Sequence, residues 1–236
     1  MEARVGLERL DAAPVQATIA RLEQRIHARF PDRGLTRVAA ELTVKAADIA
    51  DDAHETRSRL RAVRLAAHAL MALVVVATVV ALFLALRDAA RSGLESSLEW
   101  LPLIESTIYD LVFAAIAVFF LHALPARLSR ARLLAQLHRP RSLAHIIDMH
   151  QLTKDPERLR PGFQKPPESV DPGLGRDDME HYLDYCSELL SLVGKVAALC
   201  AEESQDSVVL DTVSTIETLT TGMSRKIWQK ISLLPG

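Results

Sequence analysis

Val15, Ile19, Leu22, Ile26 and Phe30 recur at the spacing of one helix face, and Pro31-Asp32-Arg33-Gly34 then breaks the pattern. A second helix is expected from about Leu35, with Val38, Leu42, Ala46 and Ile49 on its apolar side. No Gly or Pro interrupts the chain from there to Arg91, so one helix should run on into the next segment. That segment, Leu65 to Leu86, holds 22 residues without one Asp, Glu, Lys or Arg. As a helix it would extend about 33 Å, enough to cross a hydrocarbon layer of roughly 30 Å. A second apolar run, Leu103 to Leu124, follows Pro102, which suits a helix start.

Beyond it, Pro125 and Pro140 should divide the helical pattern, and Asp155-Pro156-Glu157 reads as a restart. Pro161, Gly162, Pro166, Pro167, Pro172, Gly173 and Gly175 mark a linker. A helical hairpin is expected after it. Tyr182, Leu189, Leu192, Val193 and Val196 face one way on its first helix, and Val209, Val213, Ile216 and Leu219 on its second. Asp206 should cap the second helix, and Gly222 should loosen it before Ile227, Trp228 and Ile231. No strand alternation of useful length appears, so the expected fold is all-α: a two-pass transmembrane helical hairpin with cytoplasmic helical bundle segments. The expected divisions are N-terminal cytoplasmic helices (1–64), a first span (65–86), an external loop (87–102) and a second span (103–124). Juxtamembrane basic helices (125–160), the Pro/Gly linker (161–176) and the cytoplasmic hairpin (177–236) complete the chain.

Composition sharpens this picture, because 49% hydrophobic residues and 25% charged ones occupy separate stretches. A formal charge of −2 argues against a general nucleic-acid binder, which needs a basic excess to neutralise phosphates. About sixty mostly polar residues precede the first apolar run, so a cleaved signal peptide is not expected. Arg57, Arg59, Arg61 and Arg64 stand before the first run, and Arg127, Arg130, Arg132, Arg139 and Arg141 follow the second. Between the runs, Arg87 and Arg91 are offset by Asp88, Glu95 and Glu99. The positive-inside rule then places both termini in the cytoplasm. A count of 22 Arg to 6 Lys beside abundant Ala fits a bacterial source, hence an inner membrane.

The arginine clusters suit anionic lipid headgroups, at about 1 kcal/mol each near the surface. Ala66, Ala69, Ala77, Ala81, Ala114, Ala115 and Ala117 would let copies approach closely, so a homo-oligomer is expected, with membrane lipids and an unidentified protein as partners. Inside the spans, Asp110 requires explanation, since a carboxylate at depth costs roughly 2.5–3.5 kcal/mol even on an insertion scale. Copies of Asp110 facing one another would ring a cation path, whereas a single hydrogen-bonded carboxyl near the outer headgroups needs no pore. Glu105 falls near the level of Arg87 and is expected to pair with it; His68 and His122 fall near the inner ends, and Trp100 and Tyr109 suit an outer aromatic belt.

Chemistry-bearing spacing is sparse. His145 and Asp148 are three apart, as are His181 and Asp184, and two such helices facing one another would supply four metal ligands. The simpler reading makes the first pair hydrogen-bonded or solvated, and the stripe Asp177, His181, Asp184, Glu188 the wet face of an amphipathic helix. Arg139 and His145 have an Arg-x5-His spacing that resembles the catalytic motif of HEPN ribonucleases. The resemblance covers seven residues and implies an all-helical enzyme that cleaves RNA; Pro140 stands where that family commonly has a polar residue. Cys186 and Cys200 would lie roughly 21 Å apart on one helix, too far for a disulfide, and read as reduced core thiols. Nucleophile-elbow, P-loop, dinucleotide and Cys-x-x-Cys motifs are absent.

The expected function is therefore that of a non-enzymatic inner-membrane protein, a homo-oligomeric signal-transmitting or pore-like assembly with a cytoplasmic helical domain. No cofactor is expected beyond the metal that the His/Asp pairs would hold. The alternatives are a membrane anchor or scaffold for a protein complex, and a metal-dependent or RNA-cleaving cytoplasmic enzyme.

Overall fold

The computed structural model describes residues 10–92, 100–164 and 173–235, with side chains at all of these but 50–57, 92 and 100. The elements are α1 (Ala12–Arg29), α2 (Gly34–Ser92), α3 (Trp100–Leu152), a one-turn 3-10 helix (Pro156–Leu159), α4 (Arg176–Ala201) and α5 (Ser207–Ile231). No strand occurs among the described residues, and the all-α class stands. The middle of the external loop (93–99) and most of the linker (165–172) lie outside the described residues, as do the side chains of Arg57 and Trp100.

Two compact units result, Met1–Ala53 with Arg132–Gly236, and His54–Ala131. In the first unit, α4 is the central helix. It buries residues on nearly every side, with Tyr182, Leu183, Cys186, Leu189, Leu190, Val193 and Val196 almost fully enclosed. Around it pack Val15, Ile19, Leu22 and Ile26 of α1, Leu35, Leu42 and Ala46 of α2, and Leu143 and Ile147 of α3. A second cluster joins Leu137 of α3 to Ala197, Cys200, Val209, Val213 and Ile216. Burial of each aliphatic side chain stabilises this unit by roughly 1.5–3 kcal/mol before the cost of ordering the chain.

Polar contacts set the register of the outer helices. Gln16 Nε2 donates to Ala46 O at 2.9 Å and Thr43 Oγ1 donates to the Glu23 carboxylate, which ties α1 to α2. Arg25 makes a two-pronged pair with Glu188 at 2.9 and 3.1 Å, and Arg29 pairs with Asp178, which ties α1 to α4. Part of the stripe expected to be wet on α4 is therefore covered. Asp206 caps α5 as expected, Oδ1 accepting from the Val208 and Val209 amides.

Two local expectations fail. The helix α3 continues through both Pro125 and Pro140 instead of dividing there. A proline inside a helix removes one backbone hydrogen bond and costs about 3 kcal/mol, and at Pro140 the enclosed neighbours Leu137, Leu143, Ala144 and Ile147 offset that loss. Gly222 does not loosen α5, which stays helical to Ile231 because Ile216, Met223 and Ile227 hold one buried face across it.

The second unit has the opposite character. It holds one stretch apolar enough to cross a membrane within Ser58–Arg91, and the other begins in it, within Leu101–Leu159; none of the most apolar window of either is buried. Leu73, Val76, Phe83, Phe113 and Phe119 are each exposed by half or more. Thr78 satisfies its hydroxyl within its own helix, Oγ1 donating to Val74 O at 2.9 Å.

Candidate functional site: a polar junction in the bundle

Two of the buried polar residues of the first unit, Gln151 and Lys154, lie where α3 ends, the others being Ser187 of α4 and Thr220 of α5. His150 lies in the last turn of α3, and its ring fills the space beside Gly34 at the start of α2: a Cβ on Gly34 would sit 2.5 Å from His150 Cε1. On the other side, His150 Nδ1 is 3.4 Å from the Tyr182 hydroxyl of α4. Lys154 follows the helix end and is only 8% exposed. Its ammonium stands 4.8 Å from the Tyr182 ring centroid and donates to Thr153 Oγ1 at 2.8 Å. From α5, Lys230 Nζ donates to the carbonyls of Gln151 at 2.8 Å and Lys154 at 3.2 Å. A cation on the last carbonyls of α3 satisfies groups that the helix leaves open and complements the negative end of its dipole.

Electrostatics bear the mark of this crowding. Burial, then Lys154 and Arg37, hold the His150 proton affinity below the usual imidazole range. Burial, then Arg33, lowers Lys154. Lys230 is lowered by burial too, opposed by the Asp155 and Asp148 carboxylates. Burial pushes the Tyr182 hydroxyl up, and pushes the Cys186 thiol up to about 12. Tyr182 and Cys186 are accordingly neutral at physiological pH, and the thiol is a poor nucleophile. Gln151, 1% exposed, donates to Asp148 at 2.7 Å while its Oε1 lacks a hydrogen-bond partner.

The residues singled out by spacing are spread more widely. His145 is exposed, whereas Asp148 accepts from Gln151. His181 Nδ1 lies 2.7 Å from Asp177 O on its own helix, and its ring meets Tyr185 at 6.4 Å. Among the described residues no group of three or more His, Cys, Asp or Glu side chains is placed to hold a metal ion. Arg139 pairs with Glu41 at 2.9 Å. Six positions along one helix separate it from His145, roughly 9 Å of rise and two-thirds of a turn beyond a full one, so the two do not share a face.

In the second unit, Glu105, Asp110 and His122 are exposed, and among the described residues Glu105 and Arg87 form no ion pair with one another. His68 Nδ1 is 2.7 Å from Arg64 O within α2. Arg61, Arg64 and Arg127 are exposed, as are Arg59 and Arg130, which have interactions of their own; Arg127 also stands 5.9 Å from the Phe120 ring centroid. In the first unit Arg141 is exposed and Arg132 half-buried.

Sequence reasoning missed His150, Lys154 and Lys230 as a group. The one available signal was a lysine at a helix end, just before Asp155-Pro156, in a chain poor in lysine. No protein-family model matches the chain, and no curated protein or solved structure matches it.

Proposed function

We propose that the protein is a two-pass integral membrane protein of the bacterial inner membrane, with residues 65–86 and 103–124 crossing the bilayer and both ends in the cytoplasm. Its copies associate through the spans. The helical bundle serves as a cytoplasmic input whose rearrangement is passed to the membrane, and no catalysis is involved.

The observation that carries this reading is that α2 and α3 are each one unbroken helix containing both enclosed bundle residues and a wholly unburied apolar stretch. Exposed apolar area of that size is untenable in water, and lipid removes the cost without any further protein. An unbroken helix is also stiff, so a shift at its bundle end is carried along it rather than absorbed in a loop. The exposed arginines beside the runs are opposite in charge to the anionic headgroups of a cytoplasmic leaflet, which supports this orientation.

Reconstitution tests the assembly. The purified protein in liposomes of stated size is expected to run as a fixed oligomer after detergent extraction and crosslinking. A monomer at every protein-to-lipid ratio would contradict it. Cation flux through the same liposomes, lost in Asp110→Asn, would identify the assembly as a pore; its absence would leave the transmitter.

A further inference from the structure

His150 joins three elements at one point: Gly34 of α2, its own last turn of α3, and Tyr182 of α4. The groups around it are unusual in sign. From α2 comes Arg37, one turn beyond Gly34, and from the turn before α2 comes Arg33, which acts on Lys154. Lys154 follows on the same segment, and α5 contributes Lys230, next to Lys154. From α4 come the Tyr182 hydroxyl and the Cys186 thiol, both neutral. Asp148 and Asp155 bear on Lys230, whereas the charges that bear on the imidazole are Lys154 and Arg37, both positive. A neutral imidazole costs less to enclose in this space than an imidazolium, which would add a further cation beside two others in a partly enclosed site.

We propose that this junction is an acid-sensitive joint, in which protonation of His150 drives its ring away from Gly34 and Tyr182 and frees the end of α3 from α2 and α4. The sign follows from linkage. A histidine held below its unfolded value of about 6.5 leaves the folded state fully stable above that pH, and stability falls as the pH drops below it. As the input of the membrane transmitter, the joint rests on the function proposed above; its local opening does not, and the experiment reads only the opening.

Cys186 supplies the reporter, because it is fully enclosed beside Tyr182. In full-length protein in detergent, with Cys200→Ala to leave one thiol, reaction with 4,4′-dithiodipyridine is followed from pH 7.5 to 5.0. Each rate is divided by that of the chain unfolded in guanidinium at the same pH, which removes the intrinsic pH dependence of the reagent. The ratio is expected to rise about tenfold on acidification, because the folded state loses stability as the imidazole takes up its proton. His150→Gln should reduce the rise to less than about twofold. A flat ratio in the parent, or an undiminished rise in His150→Gln, would overturn the proposal. If His150→Gln has lost helicity at pH 7.5, Arg37→Gln replaces it: a smaller rise than the parent's supports the joint, and an equal or larger one refutes it.

Discussion

A methyl group added at two glycines is expected to act in opposite directions. Gly222 lies on the exposed side of α5 with nothing near the place a Cβ would take, so Gly222→Ala should raise stability by about 0.5–1 kcal/mol through helix propensity alone. Gly34→Ala meets the His150 ring at 2.5 Å and should lower it by about 1 kcal/mol. In a His150→Ala background the same change at Gly34 becomes neutral or stabilising, since the obstruction has gone. Urea unfolding followed by circular dichroism in detergent measures all three. Buried residues of this kind were only partly legible in the sequence. Cys186 and Cys200 are the free, enclosed thiols their spacing suggested, with Cys200 also pushed up to about 12 by burial. His150, Lys154 and Lys230 were not visible as a cluster, because 76 residues separate the two lysines and only the packing of α5 against the end of α3 brings them together.

Individual helices were the most legible part of the chain. Periodicity named the faces Val15–Ile26 and Val209–Ile216 that are buried, and it placed the turn at Pro31–Gly34. It misjudged Pro140, since a local rule about proline carries no information on the core contacts that outweigh it. Capping and ion pairs give contrasting expectations. Asp206→Ala removes the acceptor of two amides and should cost about 1 kcal/mol, read from the same urea transitions. Glu188→Gln breaks the pair with Arg25, whose side chains are 53% and 35% exposed, and should cost less than about 1 kcal/mol in spite of its two-pronged geometry. A larger loss at Glu188 than at Asp206 would show that charge contributes more to holding α1 on α4 than its enclosed apolar face allows.

At the scale of the molecule, one chain combines a unit with an enclosed core and a unit whose apolar surface is left bare. The two long uncharged runs made that division readable from sequence, whereas the packing of the N-terminal helices on the C-terminal hairpin was not, since residues 10–53 and 173–235 share no local pattern that names their partner. In the function proposed for this protein, residues 65–86 and 103–124 cross a bilayer with both chain ends on one side. Single reporter cysteines, Ala90→Cys between the runs and Ser204→Cys in the bundle, are labelled with a membrane-impermeant maleimide from either face of sealed inner-membrane vesicles; the enclosed native thiols react too slowly to interfere. On this topology position 90 reacts only from the external face and position 204 only from the cytoplasmic face. Labelling of both positions from the same face, or recovery of the protein in the soluble fraction without detergent, would contradict it.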